Sequence, residues 1–312
     1  MANRTAYGVI WAILLTSTAR AAGETVTSRP ADRTVEGVYP NLASGALQQA
    51  RLIPLSEGIL LRCGDLEITQ RDLSKELKSA RPELAKQLER NAFFLLEQVA
   101  TPQLLMKAAK EKMPESQPSE APQDDEQIIK RYLDRVAEKI KVSDDEVKEF
   151  YEANKDMCGG ATLDQIKDEL SQYVLEQKRQ EAAVQHIRTL GNRLSVEVDA
   201  GWTEQQAKLA MDNPVDKARA SGKPTMVDFG AVGCRACDMM TPILKTLEKK
   251  YEGKANILFV HVREEQILAA RYGIRGIPGQ VFFDKDGKEV FRHSGFYPQM
   301  EIEKQLVDLE AK

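Results

Sequence analysis

The spacing of apolar and polar residues divides the chain into two halves with different periodicities. Between residues 57 and 200, apolar positions recur mostly every three to four residues, which predicts amphipathic helices. After residue 202, short apolar runs such as Thr225–Phe229 alternate with helical stretches, which predicts a small sheet with helices packed on it. We therefore expect a two-domain protein, with a mostly α-helical N-terminal domain over residues 57–200 and a C-terminal α/β domain over residues 202–312.

Prolines and short polar turns refine the helical half. Proline is favoured in the first turn of a helix, where its missing N–H costs least. Pro82 and Pro102 therefore predict helices over residues 82–99 and 102–112. Two short strands are expected around a Gly-Asp turn at the start of this domain, and the strand at 195–198 can pair with them.

The first 56 residues form two further segments. Arg4 precedes the apolar run 9–15, and small residues follow up to Ala21. This order is typical of a secretory signal peptide, so we expect residues 1–21 to be cleaved near Ala21. An uncleaved anchor is the less favoured alternative, because the apolar run is too short for a spanning helix, so stable membrane insertion is not expected. Residues 22–56 lack periodicity and are predicted to form an extended N-terminal segment.

Charge and composition exclude one class of function. The 312-residue chain carries a formal net charge of −4. A nucleic-acid-binding protein would show a basic patch and usually a basic domain, so no nucleic-acid partner is expected. With the predicted signal peptide, these features indicate an exported protein, for example in the periplasm, where disulfides form and persist.

Two of the four cysteines form a CxxC pair between a predicted strand and a predicted helix. Cys234 would lie at the helix N-terminus, where unpaired N–H groups and the helix dipole favour the thiolate and lower its pKa. Arg235 adds positive charge beside it. Cys237, one turn further, could resolve a mixed disulfide formed at Cys234. We therefore predict Cys234 as the nucleophile and Cys237 as the resolving thiol.

Other interpretations of the cysteines are less favoured. A zinc site needs four ligands, and the remaining cysteines and the histidines have no suitable spacing, so neither metal nor cofactor is expected. A permanent structural disulfide at the CxxC pair is a further alternative. Cys63 and Cys158 could pair with each other, remain free and buried, or, for Cys158, exchange with Cys234. Of these we favour the structural pairing.

Residues 224–311 resemble thioredoxin over nearly the whole of that fold. The motifs that carry the resemblance occur in the family's order: Val227-Asp228-Phe229, Gly233-Cys234-Arg235-Ala236-Cys237, Thr241-Pro242-Ile243-Leu244 and Tyr272-Gly273-Ile274-Arg275-Gly276-Ile277-Pro278. The resemblance implies that Asp228 is a buried carboxylate assisting proton transfer at the resolving thiol. It also implies that Pro278 is a cis-proline facing the cysteines and that Ile277 offers backbone groups to an extended substrate.

The motif around the cysteines departs from the thioredoxin pattern. Gly230 and Gly233 stand where that family usually has tryptophan, and Arg235-Ala236 replaces Gly-Pro. Thioredoxin-like chemistry is therefore expected, but the direction of electron flow stays open between reductase, oxidase and isomerase.

Residues 56–200 resemble the chaperone region of SurA-type periplasmic foldases. The resemblance lies in the hairpin with Thr69, the segment Val142–Lys155 and the long helix that ends at Leu190. A parvulin domain commonly follows the Asn-Lys segment in that family, and a short loop replaces it here, so prolyl isomerase activity is not expected. The apolar residues of 93–106 could line a surface for unfolded chains or fill a helical core.

Together these features predict an exported protein thiol–disulfide oxidoreductase whose helical domain binds client proteins. Its expected partners are unfolded or disulfide-containing clients and a redox partner protein. Two alternatives remain. The thioredoxin-like domain could mainly bind, within a chaperone or assembly module, or it could carry electrons for one dedicated partner.

Overall fold

The computed structural model describes residues 33–112 and 124–310. The predicted signal peptide lies outside the described residues. Within those two ranges, each helix is too short or too polar to cross a membrane.

The helical half contains nine helices and four strands among the described residues. They are α1 (Val35–Val38), β1 (Arg51–Ile53), β2 (Ile59–Cys63), β3 (Leu66–Thr69), α2 (Gln70–Ser79), α3 (Pro82–Arg90), α4 (Ala92–Lys112), α5 (Asp125–Ala137), α6 (Asp144–Ala153), α7 (Leu163–Arg188), α8 (Leu190–Arg193), β4 (Glu197–Asp199) and α9 (Ala200–Ala210). A short 3₁₀ turn, Lys155–Cys158, precedes α7.

A small sheet joins the two ends of the helical half in the order β1-β4-β2-β3. Strand β4 pairs antiparallel with β2, which confirms the predicted pairing, and parallel with β1 on its other side. Leu52, Leu61 and Val198 are buried in the core of this half. Burial of these side chains on one face holds the register of the short strands.

The prediction of an extended segment over residues 22–56 is wrong for its described part. Residues 33–53 belong to the core of the helical half, where Leu42 and Leu47 are almost fully buried. The carboxylate of Glu97 on α4 accepts hydrogen bonds from the backbone of Ser44, Gly45 and Leu47 at 2.8–3.0 Å. These bonds satisfy three peptide N–H groups, and others are satisfied by irregular backbone bonds such as that from the Val35 N–H to the Ala50 carbonyl at 3.0 Å, so the segment folds without a long periodic element.

The predicted helix boundary at Pro102 is also wrong, because α4 continues through this residue. Proline removes one helical N–H and crowds the preceding turn. Ala100 and Leu104 on either side are fully buried in the core. Packing of a long apolar face therefore outweighs the local cost at Pro102.

The apolar residues of 93–106 mostly fill the core. Phe93, Leu96 and Leu104 are fully buried, and the Phe93 ring stacks on Trp202 with centroids 6.1 Å apart. These side chains therefore do not form a surface for client proteins.

The C-terminal half is an α/β domain. It contains α10 (Pro214–Arg219), β5 (Thr225–Gly230), α11 (Arg235–Lys250), β6 (Asn256–His261), α12 (Gln266–Arg271), β7 (Gly279–Phe283), β8 (Glu289–Ser294) and α13 (Gln299–Glu310). Its sheet has the order β6-β5-β7-β8, with β6 parallel to β5 and β7 antiparallel to it. Met226 and Phe282 face α11 and α13, whereas Val227 and Val281 face α10 and α12. This arrangement confirms the predicted fold class.

The structure places α9 with the helical half, although the sequence predicts that the second domain begins at residue 202. Ala207 and Ala210 of α9 are buried in the core of the helical half. The helix therefore covers the small sheet of the first half, and the α/β half begins at α10.

A buried arginine connects the two halves. Arg271 at the end of α12 is 3% exposed. Its guanidinium donates to the Ala210 carbonyl at 2.8 Å and to the Asn41 carbonyl at 3.0 Å, and lies 3.2 Å from the Asp216 carboxylate. One side chain thus links α9, the N-terminal segment and α10.

Candidate redox site

The cysteine pair lies where β5 gives way to α11. Cys234 is the N-cap of α11, and its Sγ accepts a hydrogen bond from the Cys237 N–H at 3.2 Å. Gly233, directly before it, has a φ of +82°, a conformation that glycine adopts without strain. The strand, the turn and the helix start therefore place both sulfurs at one end of the sheet.

The two sulfurs are bonded to each other but differ in exposure. Cys234 and Cys237 form a disulfide. Cys237 is 4% exposed, whereas Cys234 is only half-buried. An incoming sulfur can therefore reach Cys234, and Cys237 is protected behind it.

The loop before β7 lies against Cys234. The Ile277–Pro278 peptide bond is cis. The Cys234 Sγ is 3.9 Å from the Ile277 carbonyl oxygen, and the Pro278 carbonyl accepts a hydrogen bond from the Gly295 N–H at 2.8 Å. The structure thus brings both predicted substrate-binding residues beside the cysteine pair.

Asp228 is completely buried on β5. One carboxylate oxygen accepts a hydrogen bond from the Gln280 amide at 2.7 Å, and the other has no hydrogen-bond partner among the described residues. Burial raises the pKa of Asp228 to about 6, although the bond from Gln280 lowers it in part. The carboxyl group can therefore exchange a proton close to neutral pH.

Asp228 lies on the same face of the sheet as the resolving cysteine. Side chains two residues apart on a strand point the same way, so Asp228 shares its face with Gly230. A Cβ on Gly230 would lie 3.5 Å from the Cys237 Sγ. The strand geometry thus directs the carboxyl group towards the side on which Cys237 lies.

Three residues contribute to the site without having been predicted. Gln280 bonds Asp228, and the ring of Phe259 fills the space beside Gly230, with its Cε2 atom 2.9 Å from an added Cβ. His261 Nε2 accepts a hydrogen bond at 3.3 Å from the N–H of Val232, which lies in the loop between β5 and α11. The lone glutamine in the apolar run 279–283 was a usable signal for Gln280; the other two depend on tertiary packing.

The remaining residues singled out from the sequence are Arg235 and the two cysteines outside the CxxC pair. Arg235 is exposed in the first turn of α11. Cys63 and Cys158 are both free, so the favoured structural pairing is wrong. Each thiol instead contacts a nearby carbonyl oxygen, of Leu194 for Cys63 and of Asn154 for Cys158. Burial also raises the pKa of the Cys63 thiol, which keeps it protonated and unreactive.

Comparison with known proteins identifies the family of the C-terminal half. A family model described as "Thioredoxin-like domain" matches residues 211–310. Thioredoxin of Staphylococcus aureus is 43% identical over 74 residues, which make up 24% of this chain and 70% of that protein.

Two solved structures are similar to about a third of the chain. A mutant thioredoxin of Halobacterium salinarum is 28% identical, and the match covers 31% of this chain and 82% of that one, with a TM-score of 0.29. A thioredoxin of Nicotiana alata is 27% identical over 30% of this chain and 80% of that one, with a TM-score of 0.28. The resemblance of residues 56–200 to SurA-type foldases stays a prediction. Through its C-terminal domain, the chain belongs to the thioredoxin-like family.

Proposed function

We propose that the protein is an exported thiol–disulfide oxidoreductase that exchanges disulfides with client proteins through Cys234. The observation that carries the proposal is the difference in exposure between two bonded sulfurs at the start of one helix. A half-buried Cys234 can be attacked or can attack, while a buried Cys237 reacts only within the protein. The family's redox chemistry agrees with this arrangement.

In the reducing direction, the reaction proceeds in two exchanges. The Cys234 thiolate attacks one sulfur of a client disulfide, forms a mixed disulfide and releases the other client sulfur as a thiolate. Cys237 then attacks the Cys234 sulfur, which re-forms the Cys234–Cys237 disulfide and releases the second client thiolate. Two electrons pass to the client, and its two thiolates take up protons. The oxidising direction runs through the same steps in reverse.

Asp228 serves the second exchange by accepting the proton of the Cys237 thiol. Its unpartnered oxygen and its pKa of about 6 suit a group that binds and releases a proton near neutrality. Ile277 supports the same steps by presenting its backbone to an extended client chain beside Cys234.

The helical half holds the client while exchange occurs, and the protein works outside the cytoplasm after cleavage near Ala21. The order of residues in the segment 1–21 supports export. The resemblance of residues 56–200 to SurA-type foldases supports client holding, as does the position of α3 beside the redox domain, where Gln87 bonds the Glu264 carbonyl at 2.8 Å.

The test is to trap the mixed disulfide. A Cys237→Ser variant, reduced and then mixed with insulin as the disulfide substrate, is expected to accumulate a covalent adduct at Cys234 that a reductant releases. A Cys158→Ser control on the same background retains the adduct. An adduct that forms at Cys158, or none at all, contradicts the proposal.

A further inference from the structure

A groove of about 860 Å³ lies between the two halves, beside the redox site. Helix α3 forms one wall and strand β6 forms the other. Gln87 ties α3 to the segment that follows β6, because its side chain donates to the Glu264 carbonyl at 2.8 Å and accepts from the Ile267 N–H of α12 at 3.1 Å. Arg90 adds a bond to the Asp212 carbonyl at 2.9 Å. The groove is therefore preformed in the folded chain.

The wall formed by β6 is the edge of a sheet. In the described sheet, β6 has one strand neighbour, β5. Four consecutive residues, 258–261, line the groove. Successive side chains of a strand point to opposite faces, so a groove lined by four in a row runs along the strand's edge.

Strand β6 has outward backbone groups that its sheet does not use, and Phe259, which lines the groove, carries one pair of them. The Asn256 N–H bonds the carbonyl of Pro224, just before β5, and the Val262 N–H bonds the carbonyl of Gly230 at the end of β5. In a parallel ladder the alternate residues bond one neighbour, so the peptide groups of Ile257 and Phe259 point to the opposite side. An open edge of this kind is a template for a further strand.

The side chains around the groove indicate the chemistry of that strand. Phe259 and Leu209 are each 49% exposed and give the groove an apolar surface. Four acidic and two basic side chains line it, and Arg90 is paired with the acid Asp212 at 3.6 Å. Three exposed acids remain, Glu89, Glu264 and Glu265, against the single basic side chain of Lys86, and this excess favours a cationic ligand.

We infer that this groove docks an extended segment of a client polypeptide, with alternating basic and apolar residues, as an additional strand on β6. The inference rests on the proposed function. Phe259 lines the groove and also lies against Gly230 beside Cys237. His261, at the end of β6, accepts a hydrogen bond from Val232 in the loop between β5 and α11. A client held here is thus anchored next to the cysteine pair and not at it.

The test is binding of a labelled, capped peptide of alternating lysine and valine, six residues long to match β6. The full chain is kept oxidised, and fluorescence anisotropy is measured at low salt. Phe259→Pro removes the outward N–H, and proline is tolerated on an edge strand. Phe259→Ala removes only the ring. The proline variant is expected to bind at least about fivefold more weakly than the alanine variant, because only the former loses the backbone bond.

Charge reversal gives a second route that does not alter the backbone. Glu89→Lys with Glu264→Lys is expected to weaken binding at least about tenfold. Glu248→Lys with Glu252→Lys, an equal charge change at exposed positions in the last turn of α11 and just after it, leaves binding unchanged. Equal binding of a glutamate–valine peptide overturns the inference.

Two further outcomes distinguish a docked client from a second copy of the chain and from a failure of the redox site. One outcome has three parts: the wild-type chain dimerises in sedimentation, the Phe259→Pro variant is monomeric, and the peptide does not bind. In that case a second copy occupies the edge of β6 and the client inference is wrong. The peptide contains no cysteine, so its binding is independent of exchange. Normal adduct formation in the Cys237→Ser variant together with unchanged peptide binding in the groove variants overturns this inference alone, whereas failure of the adduct overturns the proposed function.

Discussion

Glu97 in the helical half and Asp228 in the α/β half are both almost completely buried, but their carboxyl groups are bonded in opposite ways. Glu97 accepts four hydrogen bonds, three from backbone N–H groups and one from the Ser44 hydroxyl. Asp228 accepts one, from Gln280, and its second oxygen has no partner among the described residues.

The number of hydrogen bonds distinguishes a carboxyl group that serves the fold from one that serves chemistry. A buried carboxylate with all its acceptor sites occupied fixes the surrounding backbone, as Glu97 does for residues 44–47. Burial raises the pKa of both carboxyl groups, but only Asp228 has an oxygen left open that can take a proton from a neighbour. Saturation of hydrogen bonds, more than burial, therefore marks which acid belongs to the site.

The largest effect is expected where the two halves meet. Arg271→Ala removes bonds to the Ala210 and Asn41 carbonyls and leaves Asp216 with one fewer cation. We expect a loss of about 3–5 kcal/mol in the free energy of unfolding, because a buried charge network loses one member. Urea unfolding measures it, with the exposed Arg263→Ala as control. A loss no greater than that of the control would mean that the arginine does not hold the halves together.

Glu97→Gln sharpens the comparison within the helical half. The variant's NH₂ group faces backbone N–H groups that now donate to a carboxylate oxygen, so two donors oppose each other and those hydrogen bonds are lost. We therefore expect the free energy of unfolding to fall by about 3 kcal/mol. Disulfide exchange per folded molecule stays unchanged. Glu111→Gln, exposed on the same helix, is the control. If exchange falls in proportion with stability at Glu97, the assignment of a purely structural role fails.

Asp228→Asn is expected to do the opposite and stabilise the protein at alkaline pH. A folded-state pKa of about 6 against an ordinary value of 3.8 means that ionisation costs stability as pH rises through this interval. That cost is about 3 kcal/mol, and the variant is free of it. Burial of the amide in the variant costs about 1 kcal/mol, which reduces the gain. Thermal unfolding at pH 8 should show the net gain of about 2 kcal/mol, whereas below pH 4 the variant should be less stable than the wild type by about 1 kcal/mol, because the cost of the amide does not depend on pH. A gain of the same size at every pH argues against a raised pKa.

The smallest effect is expected at the cysteine of the helical half. Cys63→Ala removes a small buried side chain and one weak bond to the Leu194 carbonyl, at a cost of about 1 kcal/mol. Thiol titration of the denatured, oxidised protein should count two free thiols in the wild type, Cys63 and Cys158, and one in the variant. A count of zero in the wild type would restore the pairing that the structure rejects.

The redox domain was largely predictable because its signals are local and ordered. A strand, a CxxC pair and a helix follow one another directly, and the Ile277-Pro278 motif comes at the family's spacing. Asp228 could be singled out as a lone acid in an apolar run. Its partner Gln280 required the pairing of β5 with β7, which sets the two residues opposite each other.

The helical half was predictable in its helices but not in how they assemble. Residues 33–50 carry no periodic pattern because irregular contacts satisfy their peptide groups, among them three bonds to Glu97, which lies about 50 residues further along the chain. Pro102 is a local signal that long-range packing overrides. The groove beside β6 also depends on how the two halves meet, which no local pattern encodes.

The most direct test of the account is the pH dependence of the step in which Cys237 resolves a mixed disulfide at Cys234. A symmetrical chromogenic diaryl disulfide loads Cys234 of the reduced protein and releases one aryl thiolate, and stopped-flow absorbance then follows release of the second aryl thiolate as Cys237 attacks the Cys234 sulfur. If Asp228 accepts the proton, the rate in the wild type rises with pH and shows an inflection near pH 6, and this inflection disappears in Asp228→Asn. Identical pH profiles in the two proteins would contradict the account.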